Sequence, residues 1–340
     1  MDYQEILLAA KLLPSSDQAR LISALLGHTE DDFLSVRRNQ LLNKQGSCPH
    51  CGSNKYIRFG KDKGCQRFRY KECHCTFTEY SGTWMDGLHK KSLVVDYIEL
   101  MIEGKSLDKI VTELKINKKT AFDWRHKILS SLEQDSGKTL KGIAESDETF
   151  FEDSDKGNKR LNRPGRKRGC SSDEKKKRGV SGNKAAVIAT VDRKGGMNLC
   201  VATMGRISKE DISRSFGGSL NSDIVLCSDG HVSYKGFALD NKLEHIALRA
   251  DLKQHVKQGV YHIQNINSIH HRLKKWIDGT FWGVSTKYLQ NYLGWFRLNE
   301  QLKNSKTVLK DFITQTLQNT DTRKRHAYIG VAPQWLLATQ

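Results

Sequence analysis

Glu145-Ser146-Asp147-Glu148-Thr149-Phe150-Phe151 and Ile224-Val225-Leu226-Cys227-Ser228-Asp229-Gly230-His231 are the two stretches from which the fold is read. Each has the composition of a β-strand and carries carboxylates. Alternation along the first sends Asp147 and Glu148 to opposite faces, so one of the two is expected to serve a common site. The second is an apolar strand closing on Asp229-Gly230, and the C-terminal ends of strands are where a mixed α/β sheet gathers its functional groups.

A third stretch, His262-Ile263-Gln264-Asn265-Ile266-Asn267-Ser268, opens a helix that carries Arg272, Lys274 and Lys275. Asn267 offers a neutral carbonyl oxygen. Lys274 lies seven residues on, two helical turns, and projects to the same side. Asn265 has the same chemistry and competes for the same role. Oxygen ligands drawn from two strands and a helix can hold two hard cations, Mg²⁺ or Mn²⁺, roughly 4 Å apart against a phosphate.

Outward from these stretches, residues 142–152 read as a strand and 184–204 as a hairpin, Ala185 to Val191 and Met197 to Met204 around Asp192-Arg193-Lys194-Gly195-Gly196. A helix is expected near 208–216, a strand from Ile224 to Cys227, and helices near 267–278 and 286–300. Between Lys156 and Arg178 stand eleven Lys or Arg against two acids, a net +9 and half of the chain's +18. Gly, Pro, Ser and Asn fill the rest, the composition of a flexible loop. Arg166, Lys167 and Arg168 within it are expected to contact phosphates, which adds affinity and salt dependence without sequence readout.

Upstream, five of the eight cysteines fall between Cys48 and Cys75. Cys48-Pro49-His50-Cys51 has the spacing of a zinc knuckle, and Cys73-His74-Cys75 follows. Tyr56-Ile57-Arg58-Phe59 and Arg67-Phe68-Arg69-Tyr70 between them read as strands interleaving aromatic and basic residues. This is a zinc ribbon with a cationic face, its Zn²⁺ assigned to Cys48, Cys51, Cys73 and Cys75, with Cys65 and His74 competing for the last places. Three helices follow: Ser92 to Ile102, Leu107 to Leu114 capped by Ser106, and Lys118 to Leu129. In the third, Ala121, Trp124 and Ile128 are expected inward, with Lys118, Lys119, Arg125 and His126 outward. A tight turn before a basic third helix describes a helix-turn-helix whose last helix enters the major groove, placing Lys118, Lys119 and Arg125 on DNA.

The whole chain agrees with this. It has 340 residues, with 56 Lys or Arg against 38 acids, a surplus suited to a polyanionic partner. No run approaches the roughly 18 apolar residues of a membrane span. Met1 to Leu13 carries acids ahead of a short apolar run and is unlike a signal peptide. These readings imply a cytoplasmic, nucleoid-associated protein in which cysteines serve metal rather than disulfides. Leu21, Leu25 and Leu26 share a helical face in an N-terminal lead-in to which no chemistry is assigned.

Taken together, Cys48 to Cys51, Lys119 to Ile128, Asp147 to Phe151, Ser228 to Tyr234, Ile266-Asn267 with Leu273-Lys274, and Gly283 to Phe296 resemble bacterial insertion-sequence transposases that join an N-terminal zinc ribbon to an RNase H-like Asp-Asp-Glu or Asp-Asp-Asn domain. The resemblance runs over roughly 15–300. It implies metal-binding aspartates at Asp147 and Asp229, a third ligand at Asn267, and Lys274 as the basic residue that positions DNA. It implies a chain that binds terminal inverted repeats as a dimer or larger assembly, and cleaves and joins strands with two Mg²⁺. One departure stands out: Tyr70 occupies the position of a ribbon cysteine in these transposases. The expected organisation is a lead-in over 1–45, a ribbon over 46–82, a helix-turn-helix over 90–135, a catalytic domain over 140–300 with its basic insertion at 155–180, and a helical tail over 301–340. The alternative is a non-catalytic zinc-ribbon DNA-binding protein.

Overall fold

A computed structural model describes residues 2–14, 17, 18, 21, 48, 51–62, 65–133, 139–158, 161, 182–216, 223–249 and 252–318. The expected helical face through Leu25 and Leu26 lies outside these residues. Contacts divide the chain into two compact units, one of residues 1–103, 108–118 and 304–322, the other of 104–107, 119–303 and 323–340.

The first unit opens with α1 (Tyr3–Leu12), capped by the Asp2 and Glu5 side chains in a reciprocal box. A three-stranded antiparallel sheet follows, β1 (Tyr56–Asp62), β2 (Cys65–Tyr70) and β3 (Thr76–Thr78), in that order. Tyr56, Phe68, Tyr70 and Phe77 pack edge-to-face and stacked, with centroids 4.5 to 5.9 Å apart. Arg67 and Arg69, on the alternate face, each place a guanidinium 5.1 Å from the Phe59 ring. The interleaving read from the sequence is thus a division of faces, aromatic on one side and cationic on the other. Two helices belong here, α2 (Val94–Ile102) and α3 (Leu107–Leu114), and α9 (Val308–Gln318) packs against α2.

The second unit begins in α4 (Lys118–Glu133). Its centre is a five-stranded sheet of β4 (Ile143–Glu152), β5 (Lys184–Asp192), β6 (Met197–Met204), β7 (Val225–Ser228) and β8 (Glu244–Ala247), in the order β6-β5-β4-β7-β8. Strands β4, β5 and β6 are antiparallel, whereas β4, β7 and β8 run parallel. An antiparallel meander continued through parallel crossovers, with helices on both faces, is the RNase H-like arrangement that the chain's resemblance implied.

Both faces are covered. On one, Val187, Ala189 and Leu199 pack against Ile266, Leu273 and Ile277 of α7 (Gln264–Phe281) and Leu293 of α8 (Leu289–Leu302). On the other, Ala186, Ile188 and Leu226 meet Ile212 of α5 (Lys209–Phe216) and Tyr234 and Phe237 of α6 (Val232–Asp240). Strand β5 is buried on both sides, which explains its unbroken apolar run from Ala185 to Ala189. Its hairpin turn is held by Asp192, whose Oδ1 accepts from the amides of Lys194 at 2.8 Å and Gly196 at 2.7 Å.

One expectation for α4 fails. Ala121, Trp124 and Ile128 do face inward, but so do Arg125 and His126, only 2% and 1% exposed. The Arg125 guanidinium lies 5.9 and 5.6 Å from the rings of Phe281 and Trp295 and donates to the Lys105 carbonyl at 3.0 Å. His126 packs on Phe122 and Tyr288, centroids 4.3 and 4.0 Å away. Amphipathic spacing predicted one buried stripe; α4 is enclosed on a wider arc, because the rings of Phe281, Tyr288 and Trp295 give a guanidinium and an imidazole somewhere to pack. Arg125 is therefore removed from the DNA-facing set.

Candidate functional site

Parallel pairing of β4 with β7 sets the site. The register aligns Ala144 with Leu226 and Glu145 with Cys227. Two residues further along each strand come Asp147 and Asp229, so the two carboxylates stand at the same level of neighbouring chains, which run about 4.8 Å apart. Asp229 follows the end of β7, where Gly230 takes φ +87 and turns the chain; a Cβ on Gly230 would come 3.2 Å from the Arg249 side chain. The Asp229 Oδ1 accepts from the His231 amide at 2.9 Å, and Ser228 Oγ lies 2.9 Å from His245 Nε2.

Negative charge is concentrated here. Burial, and then the charges of Glu148 and Asp229, push the Asp147 carboxyl up to about 7, while Lys274 draws it down. Glu148 is raised by burial and by Asp229. Its Oε2 is enclosed and has no hydrogen-bond partner among the described residues. Alternation was expected to leave one of Asp147 and Glu148 for a common site. The side chains do leave opposite faces of β4, but Asp229, at the strand end, acts on both charges.

The helix α7 supplies the remaining wall. His270 Nδ1 lies 3.6 Å from Asp147 Oδ2. Burial, then the neighbouring Lys274, lowers the imidazole to about 4, so at neutral pH this is a neutral ring against the carboxyl rather than an ion pair. His270 and Lys274 are one turn apart, and Asn267 is three residues before His270, so all three share one face. Asn267 is exposed in the first turn. Asn265 is differently engaged. Its amide and its Nδ2 donate to the two carboxylate oxygens of Glu145 at 2.8 and 2.9 Å, and the Ile266 amide adds a third bond at 3.1 Å. Glu145, with no exposed surface, thus caps α7, and Arg193 pairs with it at 2.9 Å. Sequence reading missed Glu145 and His270. The spacing of His270 from Asn267 and Lys274 was the available signal.

A separate cluster lies in the ribbon. Sulfurs of Cys48, Cys51 and Cys73 all lie within 4.8 Å of one another, with Cys48 Sγ 3.5 Å from Cys73 Sγ. Tetrahedral zinc with thiolates at about 2.3 Å sets sulfurs about 3.8 Å apart, so three of the four expected ligands are close to that geometry. Cys75 stands outside this group. Cys65 pairs with Asp62 at the opposite tip of the β1–β2 hairpin, too distant to join. Of the expected DNA contacts, Lys118 and Lys119 are exposed, and Lys118 pairs with Asp108 at 2.6 Å. Arg166, Lys167 and Arg168 lie outside the described residues.

Residues 139–299 match the family profile of the ISXO2-like transposase domain, a span that contains Asp147, Asp229, Asn267 and Lys274. A protein in transposable element ISH50 of Halobacterium salinarum is 26% identical over 278 residues, covering 79% of this chain and 91% of its own length. Among solved structures, a pre-cleavage Mos1 transpososome aligns at 9% identity over 68% of this chain and 79% of that one, with a TM-score of 0.22; the strand order, not this overlay, carries the fold. Residues 139–299 are thus similar to the ISXO2-like transposase domain, and most of the chain is similar to a protein encoded in a transposable element.

Proposed function

We propose that the chain binds the terminal inverted repeats of its element and cleaves and transfers DNA strands at the Asp147–Asp229 site. The observation that carries this reading is the level placement of Asp147 and Asp229 on adjacent parallel strands, faced by Lys274, inside the segment that matches the transposase domain. The reaction is an in-line displacement at phosphorus. Water attacks a phosphodiester at the element end, its oxygen bonding phosphorus as the 3′-oxygen leaves with a proton. The freed 3′-hydroxyl then attacks a target phosphodiester, and a second 3′-oxygen departs.

The site suits hard divalent cations. Its donors are oxygens, its carboxylates repel one another, and the Glu148 Oε2 is enclosed without a hydrogen bond among the described residues. Asp147, Asp229 and Asn267 would hold Mg²⁺ or Mn²⁺. When bound, two such ions would stabilise the entering and leaving oxygens. A neutral Asn267 leaves this set one negative charge short of three carboxylates, and Glu148 supplies that charge nearby. Lys274 holds DNA phosphate beside the carboxylates. His270, neutral at pH 7, packs against the Asp147 carboxyl with its Nδ1 3.6 Å from Oδ2. In the ribbon, Cys48, Cys51 and Cys73 would hold a structural Zn²⁺, with Cys75 or His74 completing it. Two element ends must be joined to one target, which requires at least a dimer on DNA.

The test is a strand-transfer assay on a labelled end duplex with Mg²⁺. Asp147→Ala and Asp229→Ala should each lose cleavage and joining by about a thousandfold or more, comparable to losing a principal charge-stabilising group. Full activity in either removes the proposal. Cleavage without joined products would make the chain a hydrolytic nuclease instead.

A further inference from the structure

We propose that Trp282 is a stacking platform for an unpaired DNA base, resting on the reading that the chain acts on DNA. Trp282 is 86% exposed, more than any other large apolar side chain among the described residues. It sits between Phe281 and Gly283 at the end of α7. The aromatic rings of α7 and α8 nearby in sequence pack elsewhere: Trp276, Phe281, Tyr292 and Trp295 lie on one another with centroids 4.8 to 6.4 Å apart. Trp282 has no ring partner among the described residues.

Its backbone is held against its own preference. Trp282 adopts φ 53, ψ 45, the left-handed conformation that glycine usually supplies at a helix C-terminus. The amides of Trp282 and Gly283 bond back to the carbonyls of Asp278 at 3.1 Å and Ile277 at 3.3 Å. The Lys156 ammonium donates to the carbonyls of Phe281, of Trp282 at 3.3 Å and of Gly283 at 2.9 Å. The indole is therefore mounted on a fixed base while its faces stay in solvent.

Charge supplies the occupant. The chain leaves toward the basic stretch at Lys156 and returns at Asn183, whose carbonyl accepts from Asp153 at 3.0 Å. Ser154 is tied to Thr286 by two hydrogen bonds of 2.8 and 2.9 Å, four residues beyond Trp282. Ten Lys or Arg against two acids lie between residues 159 and 178 of the sequence, which continues from Lys156. Cations together with an unpacked aromatic face match a partner with phosphates and flat rings. In a duplex the base faces are covered by stacking and only edges reach the grooves. An unpaired base is the part of DNA that presents a face.

The experiment uses the full chain and two probes: an end duplex carrying a short unpaired tract with 2-aminopurine, and the fully paired duplex. Trp282→Ala leaves the fold intact, because it removes an exposed side chain. It should weaken binding to the unpaired-tract probe about tenfold and abolish quenching of 2-aminopurine, with duplex binding unchanged. Trp282→Phe should retain most of the quenching. Equal binding of both probes by wild type and Trp282→Ala overturns the proposal, as does a change in oligomeric mass without a change in DNA affinity, which would make the indole a protein contact. Wild-type chain that binds neither probe overturns the DNA reading itself and this proposal with it.

Discussion

Glu145 has no exposed surface, yet it receives three hydrogen bonds from the first turn of α7 and an ion pair from Arg193. Removing one partner of a buried ion pair strands the other charge, so Glu145→Ala should cost about 3–5 kcal/mol; urea unfolding measures it, and a loss under about 1 kcal/mol would deny Glu145 this role. The two asparagines should then separate. Asn265→Ala loses a bond to Glu145 and should cost about 1–3 kcal/mol of stability with catalysis per folded molecule retained. Asn267→Ala should do the reverse, and strand transfer measured on both variants decides between them. His126 gives a pH prediction. Burial first, then Arg125 and Lys287, lowers it to about 3, whereas the unfolded chain titrates near 6.5. Below pH 6.5 the unfolded state gains a proton that the folded state refuses, so stability falls as pH falls. By pH 5 this amounts to about 2 kcal/mol, and it should be missing from the difference curve of His126→Phe. Identical acid slopes in the two proteins would count against it. Asp147 and Asp229 were legible because an apolar strand ending in a carboxylate is a local pattern. Glu145 and Arg125 were not, because what each touches is brought from more than 100 residues away, or from an aromatic cluster that no helical period announces.

At the scale of elements, Gly294 fixes how closely α8 approaches α4. A Cβ there would stand 2.6 Å from the Leu132 carbonyl oxygen and 3.0 Å from the Leu132 Cβ. Gly294→Ala would gain about 1 kcal/mol of helix propensity but must push two helices apart. A backbone oxygen cannot swing aside as a side chain can, so overpacking wins and a net loss of about 1–3 kcal/mol is expected. A variant as stable as wild type in denaturant would show that the helices have slack. The ribbon offers a contrasting case, since β1 to β3 enclose little apolar bulk beyond four aromatic rings. A chelator should remove metal from Cys48, Cys51 and Cys73 and flatten the near-ultraviolet signal of that ring cluster, leaving the second unit's melting transition in place. An unchanged spectrum would mean that no metal staples the ribbon. Strands β4 to β7 and helices α7 and α8 were readable from period and turn residues, within two or three residues at their ends. The elements α6 and β8 were not. In α6, Val232 and Leu239 are 79% exposed and Gly236 interrupts the middle, so no apolar stripe marks the helix. Strand β8 has four residues, Glu244 to Ala247, too few to show an alternation.

For the whole molecule, charge is the property that reaches furthest. Half of the +18 excess falls between Lys156 and Arg178, and that segment departs from the end of β4, the strand that carries Asp147. A polycation placed there should hold DNA by releasing counterions, which ties affinity to salt in a countable way. Each phosphate neutralised contributes roughly 0.9 to the slope of log affinity against log salt concentration. If half of the ten Lys and Arg between 159 and 178 engage phosphates, replacing all ten by Ser and Gln should flatten that slope by about 4 to 5 and weaken binding most at low salt. Phosphates carry no sequence information, so the ratio of affinities for an element end and for random duplex should stay as it was. Filter binding across a salt series on both duplexes reads slope and ratio together. An unchanged slope would show that these charges point into solvent, while a collapsed ratio would mean that the segment reads bases, leaving the ribbon, Lys118 and Lys119 with less of the recognition than their exposure suggests.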